Sequence, residues 1–61
     1  MAYYQLNCVS DGHIFRCEEF HAASDEQAIS QALDLRGVTA AELWCGTRKV
    51  SVFEQMVRQP A

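Results

Sequence analysis

The segment between Ser24 and Gly37 carries both a start signal and a stop signal for a helix, and it constrains the fold more than any other feature. Ser24 precedes two acidic residues and Gln27, which makes Ser24 the expected N-cap and Gln27 the reciprocal member of a capping box. The two acids lie where the helix dipole favours negative charge. Gly37 is the C′ residue that ends the helix. The sequence therefore predicts one helix of about three turns over residues 25–36.

Apolar side chains in this helix recur at the spacing of a single narrow stripe. The stripe consists of Ala28, Ile29, Ala32, Leu33 and the stem of Arg36. One stripe buries one side of a helix, so a sheet face is the expected partner. Beyond the helix, Val38 lies where a Schellman motif places its contact with Leu33.

Two strand-like segments precede the helix. Residues 3–9 and 14–22 are rich in aromatic and β-branched residues, and Asp11-Gly12 between them is a strong hairpin signal because glycine accepts a positive φ. The register stays open. A two-residue loop gives one face the side chains of Tyr4, Leu6, Cys8, Phe15 and Cys17. A three-residue loop with a bulge at the glycine instead puts Ile14 and Phe20 beside the core residues of the first strand, since a slip of one residue exchanges the faces.

A second pair of strand-like segments follows the helix, over residues 41–45 and 48–53, with Gly46 marking the turn. With a Gly46-Thr47 loop, straight alternation puts on one face Leu43, Cys45, Val50 and Val52. The same alternation puts on the other face Trp44, Lys49, Ser51 and Phe53. Residues 54–61 lose this periodicity and are predicted to form a frayed tail.

These elements predict one domain over residues 1–61, of the α+β class. The order is ββαββ, with an antiparallel sheet of up to four strands and the helix packed on one face. Strand order 2-1-3-4 and orders with a parallel central pair both satisfy the rules for crossover connections. One sheet face is left without a helix. Its expected side chains are Tyr3, Val9, Trp44 and Phe53, joined by Ile14 and Phe20 in some registers.

The size of the chain makes a partner useful. A chain of 61 residues buries only about 60% of the surface that its unfolded form exposes, and such small folds commonly rely on disulfides, a metal or a second subunit. Self-association through the aromatic face or a free strand edge is the favoured route. We therefore predict a homo-oligomer and a protein-interaction role. The expected contact residues are Tyr3, Phe20, Trp44 and Phe53, with Arg48 and Lys49 at the rim.

Charge and hydropathy exclude other partners. The net charge is −3, and the five basic residues are scattered, whereas a nucleic-acid binder normally shows a basic face. The chain has neither an apolar run of about 20 residues nor a signal-peptide pattern at its start, so no membrane contact is expected. Three cysteines without framework spacing indicate a reducing compartment, and the predicted location is the cytoplasm.

Cysteine and histidine supply the only alternative chemistry. No pair has the short spacing of a structural zinc site, so neither a metal nor another cofactor is predicted. In the two-residue register, however, one hairpin face carries Cys8, His13, Cys17 and His21. A small-ligand or metal-binding regulator that uses this face is therefore the alternative function.

Catalysis is not predicted. A catalytic thiol needs a nearby base or cation, and only Cys45, close in sequence to Arg48 and Lys49, approaches that condition. The glycines belong to turns and the helix end, so they form no phosphate-binding loop. We therefore interpret the chain as a non-enzyme with no catalytic residues.

Three short patterns occur in fixed order. They are Asp11-Gly12-His13-Ile14 at the first turn, Glu18-Glu19-Phe20 before the alanine-containing helix, and Glu42-Leu43-Trp44-Cys45-Gly46-Thr47-Arg48-Lys49-Val50 in the second hairpin. With these patterns the chain resembles a group of very small uncharacterised bacterial ββαββ proteins with a DGHI turn and an ELWxGxRxV hairpin. The resemblance implies the same order of elements and brings neither an activity nor functional residues.

Overall fold

A computed structural model describes residues 1–56 of the chain. Its four strands form one sheet in the order β2-β1-β3-β4, and neighbouring strands all run antiparallel. The helix packs against this sheet, so the predicted α+β class and ββαββ order are confirmed, and no central pair of strands is parallel. The elements are β1 (Ala2–Ser10), β2 (His13–Ala22), α1 (Asp25–Arg36), β3 (Ala40–Cys45) and β4 (Arg48–Phe53).

The helix has the predicted bounds because local side chains close both of its ends. Ser24 Oγ accepts the backbone N–H of Gln27 at 3.2 Å, and Gln27 Oε1 accepts the N–H of Ala23 at 2.7 Å. At the other end Gly37 takes a φ of +64°, a left-handed conformation that glycine adopts without steric cost. The hydroxyl of Thr39 then donates to the last helical carbonyl, that of Arg36, at 2.7 Å.

The helix lies on the sheet through its smallest side chains. Burial follows the i, i+4, i+8 line of Ala28, Ala32 and Arg36, and Ile29 is half-buried beside it. The prediction that Leu33 belongs to this stripe is wrong, since Leu33 is 46% exposed. One residue along a helix is a rotation of about 100°, which carries Leu33 out of the contact. Val38 is exposed as well.

The first hairpin combines both registers that the sequence left open. Asp11 and Gly12 have φ values of +52° and +77°, and Ser10 pairs with His13, as in a two-residue loop. A bulge then follows, because Val9 pairs with Ile14 whereas Cys8 pairs with Arg16, leaving Phe15 as the extra residue. Beyond this bulge the faces are those of the three-residue alternative. Opposite pairs there are Tyr4 with Phe20 and Asn7 with Cys17.

A second bulge corrects the predicted faces of the last hairpin. Trp44 pairs with Lys49 and Leu43 pairs with Ser51, so that Val50 is the extra residue of β4. Phe53 consequently shares a face with the core, opposite Ala41, and not with Trp44 as predicted. By the same shift Ser51 joins the core side and Val52 leaves it. Straight alternation fails here because one inserted residue reverses every side chain that follows it.

The hydrophobic core occupies the sheet face toward α1, which we call the covered face. Its buried members are Tyr4, Leu6, Cys8, Ala22, Ala28, Ala32, Ala41 and Leu43. At the helix end the buried guanidinium of Arg36 donates to the carbonyls of Thr39 and Glu54 and lies 5.3 Å from the ring centroid of Phe53.

Residues 54–56, predicted as part of a frayed tail, are held against the rest of the fold. Arg36 Nη1 donates to the Glu54 carbonyl at 2.8 Å, and the Met56 N–H donates to the Val38 carbonyl at 3.0 Å. The remainder of the predicted tail, residues 57–61, lies outside the described residues. Within residues 1–56, no helix is long and apolar enough to cross a membrane.

Candidate functional site

The sheet face opposite α1, here called the uncovered face, has no helix against it within residues 1–56. Strand pairing determines its membership, since residues directly opposite each other on neighbouring strands point to the same side. The side chains are Tyr3, Gln5, Asn7 and Val9 from β1, Ile14, Cys17, Glu19 and His21 from β2, Ala40, Glu42 and Trp44 from β3, and Lys49 and Val52 from β4.

One end of this face is apolar. Val9 pairs with both Ile14 and Ala40 across the sheet, and Ile14 and Val52 are 60% and 57% exposed. The apolar end of this face comprises Val9, Ile14, Ala40 and Val52. Three further exposed apolar side chains lie at the same end of the sheet: Phe15, Val38 and Met56. A group of this kind is more than scattered apolar exposure.

The other end of the face is polar and aromatic. Trp44 Nε1 donates to Glu42 Oε1 at 3.2 Å, and Lys49 Nζ lies 3.5 Å from Glu42 Oε2 and 5.2 Å from the Trp44 ring centroid. These contacts fix the half-buried indole between a carboxylate and a cation. Tyr3 and His21 form an edge-to-face pair with centroids 4.9 Å apart. This polar-aromatic end is therefore an ordered surface.

The predicted contact residues do not lie together. Tyr3, Trp44 and Lys49 are on the uncovered face, as expected. Phe20, in contrast, stacks on Tyr4 on the covered face, with ring centroids 5.9 Å apart, and Phe53 and Arg48 are also on that side. The bulges account for the two phenylalanines. The sequence prediction did not include Phe15, Val38, Val52 and Met56, because no local sequence pattern indicates which apolar residues stay exposed.

Arg48 belongs to a polar cluster at the start of α1. Its guanidinium donates to both Asp25 carboxylate oxygens, at 2.9 and 3.2 Å, and the Tyr4 hydroxyl donates to Asp25 Oδ1 at 2.6 Å. Hydrogen bonds from Arg48 and then Tyr4 lower the pKa of Asp25. The bond to Asp25 raises the pKa of Tyr4, and burial adds to this. The three groups satisfy one another and join α1 to β1 and β4, which makes this cluster structural.

The Cys/His face of the alternative function does not form. The bulge at Phe15 puts Cys8 on the covered face, fully buried, whereas Cys17 and His21 lie on the uncovered face. His13 pairs with Ser10 at the turn. Among the described residues, no three side chains of the metal-ligating types lie close enough to hold an ion. The two-residue register on which this interpretation depended ends at the pair of Val9 with Ile14, where the bulge begins.

The two outer strands, β2 and β4, have features that hinder pairing with another sheet along their free edges. Both β2 and β4 carry a bulge. In β2 the charged residue Arg16 follows the bulge, and in β4 the charged residue Lys49 precedes it. Proteins use bulges and charges in this way to prevent edge-to-edge pairing of sheets. Of the two association modes that the sequence left open, the geometry therefore favours the face over the edge.

Comparison with known proteins adds no assignment. No family model, curated protein or solved structure matches the chain. The part of the chain from residue 1 to residue 56 encloses no pocket.

Proposed function

We propose that this chain is a non-catalytic protein-interaction module that self-associates through the uncovered face of its sheet. The observation that carries the proposal is the apolar end, where Ile14 and Val52 are more than half exposed. Removing one such side chain from water stabilises a complex by about 1.5–3 kcal/mol. That is a large fraction of the net stability of a fold this small, about 0.05–0.15 kcal/mol per residue.

The state of the cysteines supports a site of action inside the cell. Cys8, Cys17 and Cys45 are all free thiols, and Cys17 is exposed. Small secreted domains of this size usually use their cysteines for disulfides, whereas reducing compartments keep thiols such as these unpaired. We therefore place the interaction in the cytoplasm.

Self-association is tested by sedimentation equilibrium of the untagged chain over a dilution series. We expect the average mass to rise from monomer toward dimer with concentration. Val52→Lys and Ile14→Lys each introduce a charge into the apolar end, and each should weaken the dimer at least about tenfold because the charge would have to be desolvated.

Leu33→Lys is the matched control, since Leu33 is an exposed apolar residue on the helix, away from the uncovered face. This variant should associate as the wild type does. A wild-type chain that stays monomeric at every concentration, or a control that weakens association as much as Val52→Lys, contradicts the proposal. Far-UV circular dichroism of each variant shows that a lost dimer does not reflect a lost fold.

A further inference from the structure

The charges on the uncovered face are distributed unevenly between its two edges. One row of opposite residues crosses the whole sheet, from Glu19 on β2 through Gln5 and Trp44 to Lys49 on β4. The row thus begins with an acid at one edge and ends with a base at the other. Two copies of such a surface attract or repel each other according to how they are turned.

Glu19 is the acid of this row, and its carboxylate is exposed. Within residues 1–56 it takes part in no ion pair, whereas Glu42 on the same face is already paired with Lys49. Lys49 remains 43% exposed in that pair, so its ammonium can accept a second carboxylate. The face therefore presents one unmatched acid and one accessible base at opposite edges.

Two sheets that pack face to face with aligned strands can be related by a two-fold axis in either of two directions. An axis across the strands exchanges the two ends of the face, which lays the apolar end over the polar-aromatic end. An axis parallel to the strands exchanges the two edges and keeps each end over its own copy. Only the second choice lays Glu19 over Lys49 of the other copy while apolar side chains meet apolar side chains.

We propose that two copies of this chain pack their uncovered faces together about a two-fold axis that runs parallel to the strands between β1 and β3, with Glu19 of each copy paired to Lys49 of the other. This arrangement rests on the self-association proposed above. Each copy then contributes to a network in which Glu42 and the second copy's Glu19 share one ammonium group. Packed sheets lie about 10 Å apart, a gap that facing Glu and Lys side chains bridge.

The available area makes this dimer a weak one. Four strands spaced about 4.8 Å apart, each covered over about six residues, give two facing sheets somewhat less than about 1,000 Å² of contact. Specific protein–protein interfaces bury at least about 1,000 Å² of surface. The dimer should therefore dissociate readily on dilution, and the two symmetric ion pairs should have a visible effect on its affinity and on its preferred partner.

Charge reversal with mixing tests the arrangement. Glu19→Lys places two lysines opposite each other twice in its homodimer, and Lys49→Glu does the same with glutamates. Each variant alone should weaken dimerisation at least about tenfold. In an equimolar mixture both opposing pairs are complementary again, so a heterodimer should form with an affinity within about threefold of the wild type. Native mass spectrometry with one variant labelled by ¹⁵N separates the heterodimer from the two homodimers.

Asp34→Lys is the matched control for Glu19→Lys, because it raises the net charge by the same amount from an exposed position on the helix. It should dimerise as the wild type does. Since Lys49→Glu also faces Glu42 of its own chain, Lys49→Gln is measured beside it and should weaken the dimer without creating the preference for Glu19→Lys.

The outcomes separate this arrangement from the more general proposal. A wild type that dimerises while the mixture shows no excess of heterodimer overturns the two-fold arrangement and leaves self-association standing. Equal weakening by Asp34→Lys also overturns it, since net charge alone then explains the effect. A wild type that is monomeric at every concentration overturns both.

Discussion

At the scale of single residues, Asp25 connects three elements of the fold. Its carboxylate accepts hydrogen bonds from Arg48 of β4 and Tyr4 of β1 while it occupies the first turn of α1. A negative charge there also favours the helix dipole. The ion pair with Arg48 and the interaction with the helix dipole require the ionised form, and the Tyr4 hydroxyl bonds more strongly to a carboxylate than to a protonated carboxyl, so the cluster makes the stability of the fold depend on pH.

The pKa of Asp25 is lower in the folded chain than the ordinary aspartate value of about 3.9. The unfolded chain therefore binds the proton more tightly, and the stabilisation is present above about pH 4 and is lost as the pH falls through the lowered folded value. We expect Asp25→Asn to be less stable than the wild type at pH 7 and less sensitive to acid. Urea midpoints between about pH 2 and pH 6 measure this.

Asp34→Asn provides the comparison, because Asp34 is an exposed carboxylate of the same helix and makes no ion pair within the described residues. Its urea midpoints should run parallel to those of the wild type. Were Asp25→Asn to lose stability with acid as steeply as the wild type, the cluster would not be the source of the pH dependence.

At the scale of the elements, we expect that the bulge at Phe15 can be removed without disturbing the residue pairs on either side of it. Phe15 is exposed and is the one residue of β2 between His13 and Ala22 without an opposite partner in β1. Deleting it leaves Ile14 opposite Val9 and Arg16 opposite Cys8, in a straight ladder. We expect the deletion variant to fold with a stability within about 1 kcal/mol of the wild type, measured by urea unfolding.

Deletion of Cys17 is the comparison. Cys17 is also exposed, but it lies in the regular part of the ladder. Its loss either turns Phe20 away from the core or removes the bulge and exchanges the faces of Phe15 and Arg16. We expect this variant to be less stable than the Phe15 deletion in the same urea measurement. Equal tolerance of both deletions would show that the faces of Phe15 and Arg16 contribute little to the fold.

The order and bounds of the elements could be predicted from the sequence, whereas the faces of two strands could not. Ser24, Gln27 and Gly37 act on their own neighbours, so the helix is readable locally. A bulge depends on how the facing strand fits, and no local pattern announced the extra residues Phe15 and Val50. The members of the candidate site on these two strands could not be predicted for the same reason.

The predicted members of the candidate site divide along the same line. Trp44 and Tyr3 were placed correctly by alternation alone, because no bulge changes the parity of β1 or β3. Phe53 was placed on the wrong face because β4 contains the inserted Val50, and Val52 was missed for the same reason. Burial of Leu33 failed differently. Its position depends on how closely the alanines let the helix approach the sheet, which is a property of the assembled fold.

At the scale of the whole molecule, Arg36 holds together the end of the fold at which α1 ends, β3 begins and β4 ends. Its buried guanidinium donates to the carbonyls of Thr39 and Glu54 and lies over the ring of Phe53. It thus joins the end of α1, the start of β3 and the segment that follows β4. This is the same end that carries the exposed apolar side chains, so the order of the proposed contact surface depends on Arg36.

Arg36→Met should keep the apolar contact with the sheet and leave two carbonyls without their donor. We expect a loss of about 1–2 kcal/mol, since both hydrogen bonds are part-buried and a fully buried unsatisfied polar group costs about 1–3 kcal/mol. Amide hydrogen exchange should rise most at Met56, whose N–H is bonded to the Val38 carbonyl. The stability of Arg36→Lys should lie between those of the wild type and of Arg36→Met, because its single ammonium can donate to one of the two carbonyls. Unchanged exchange at Met56 in Arg36→Met would rule out this role.

The placement of the three thiols has a practical consequence for chemical labelling. Cys8 is fully buried, Cys45 is half-buried, and Cys17 lies exposed on the outer strand β2 of the uncovered face. A maleimide or iodoacetamide reagent therefore reaches Cys17 first in a single chain. In the proposed dimer the same thiol is shielded by the other sheet. The rate of its alkylation becomes a native reporter of face occupancy that needs no substitution and no tag.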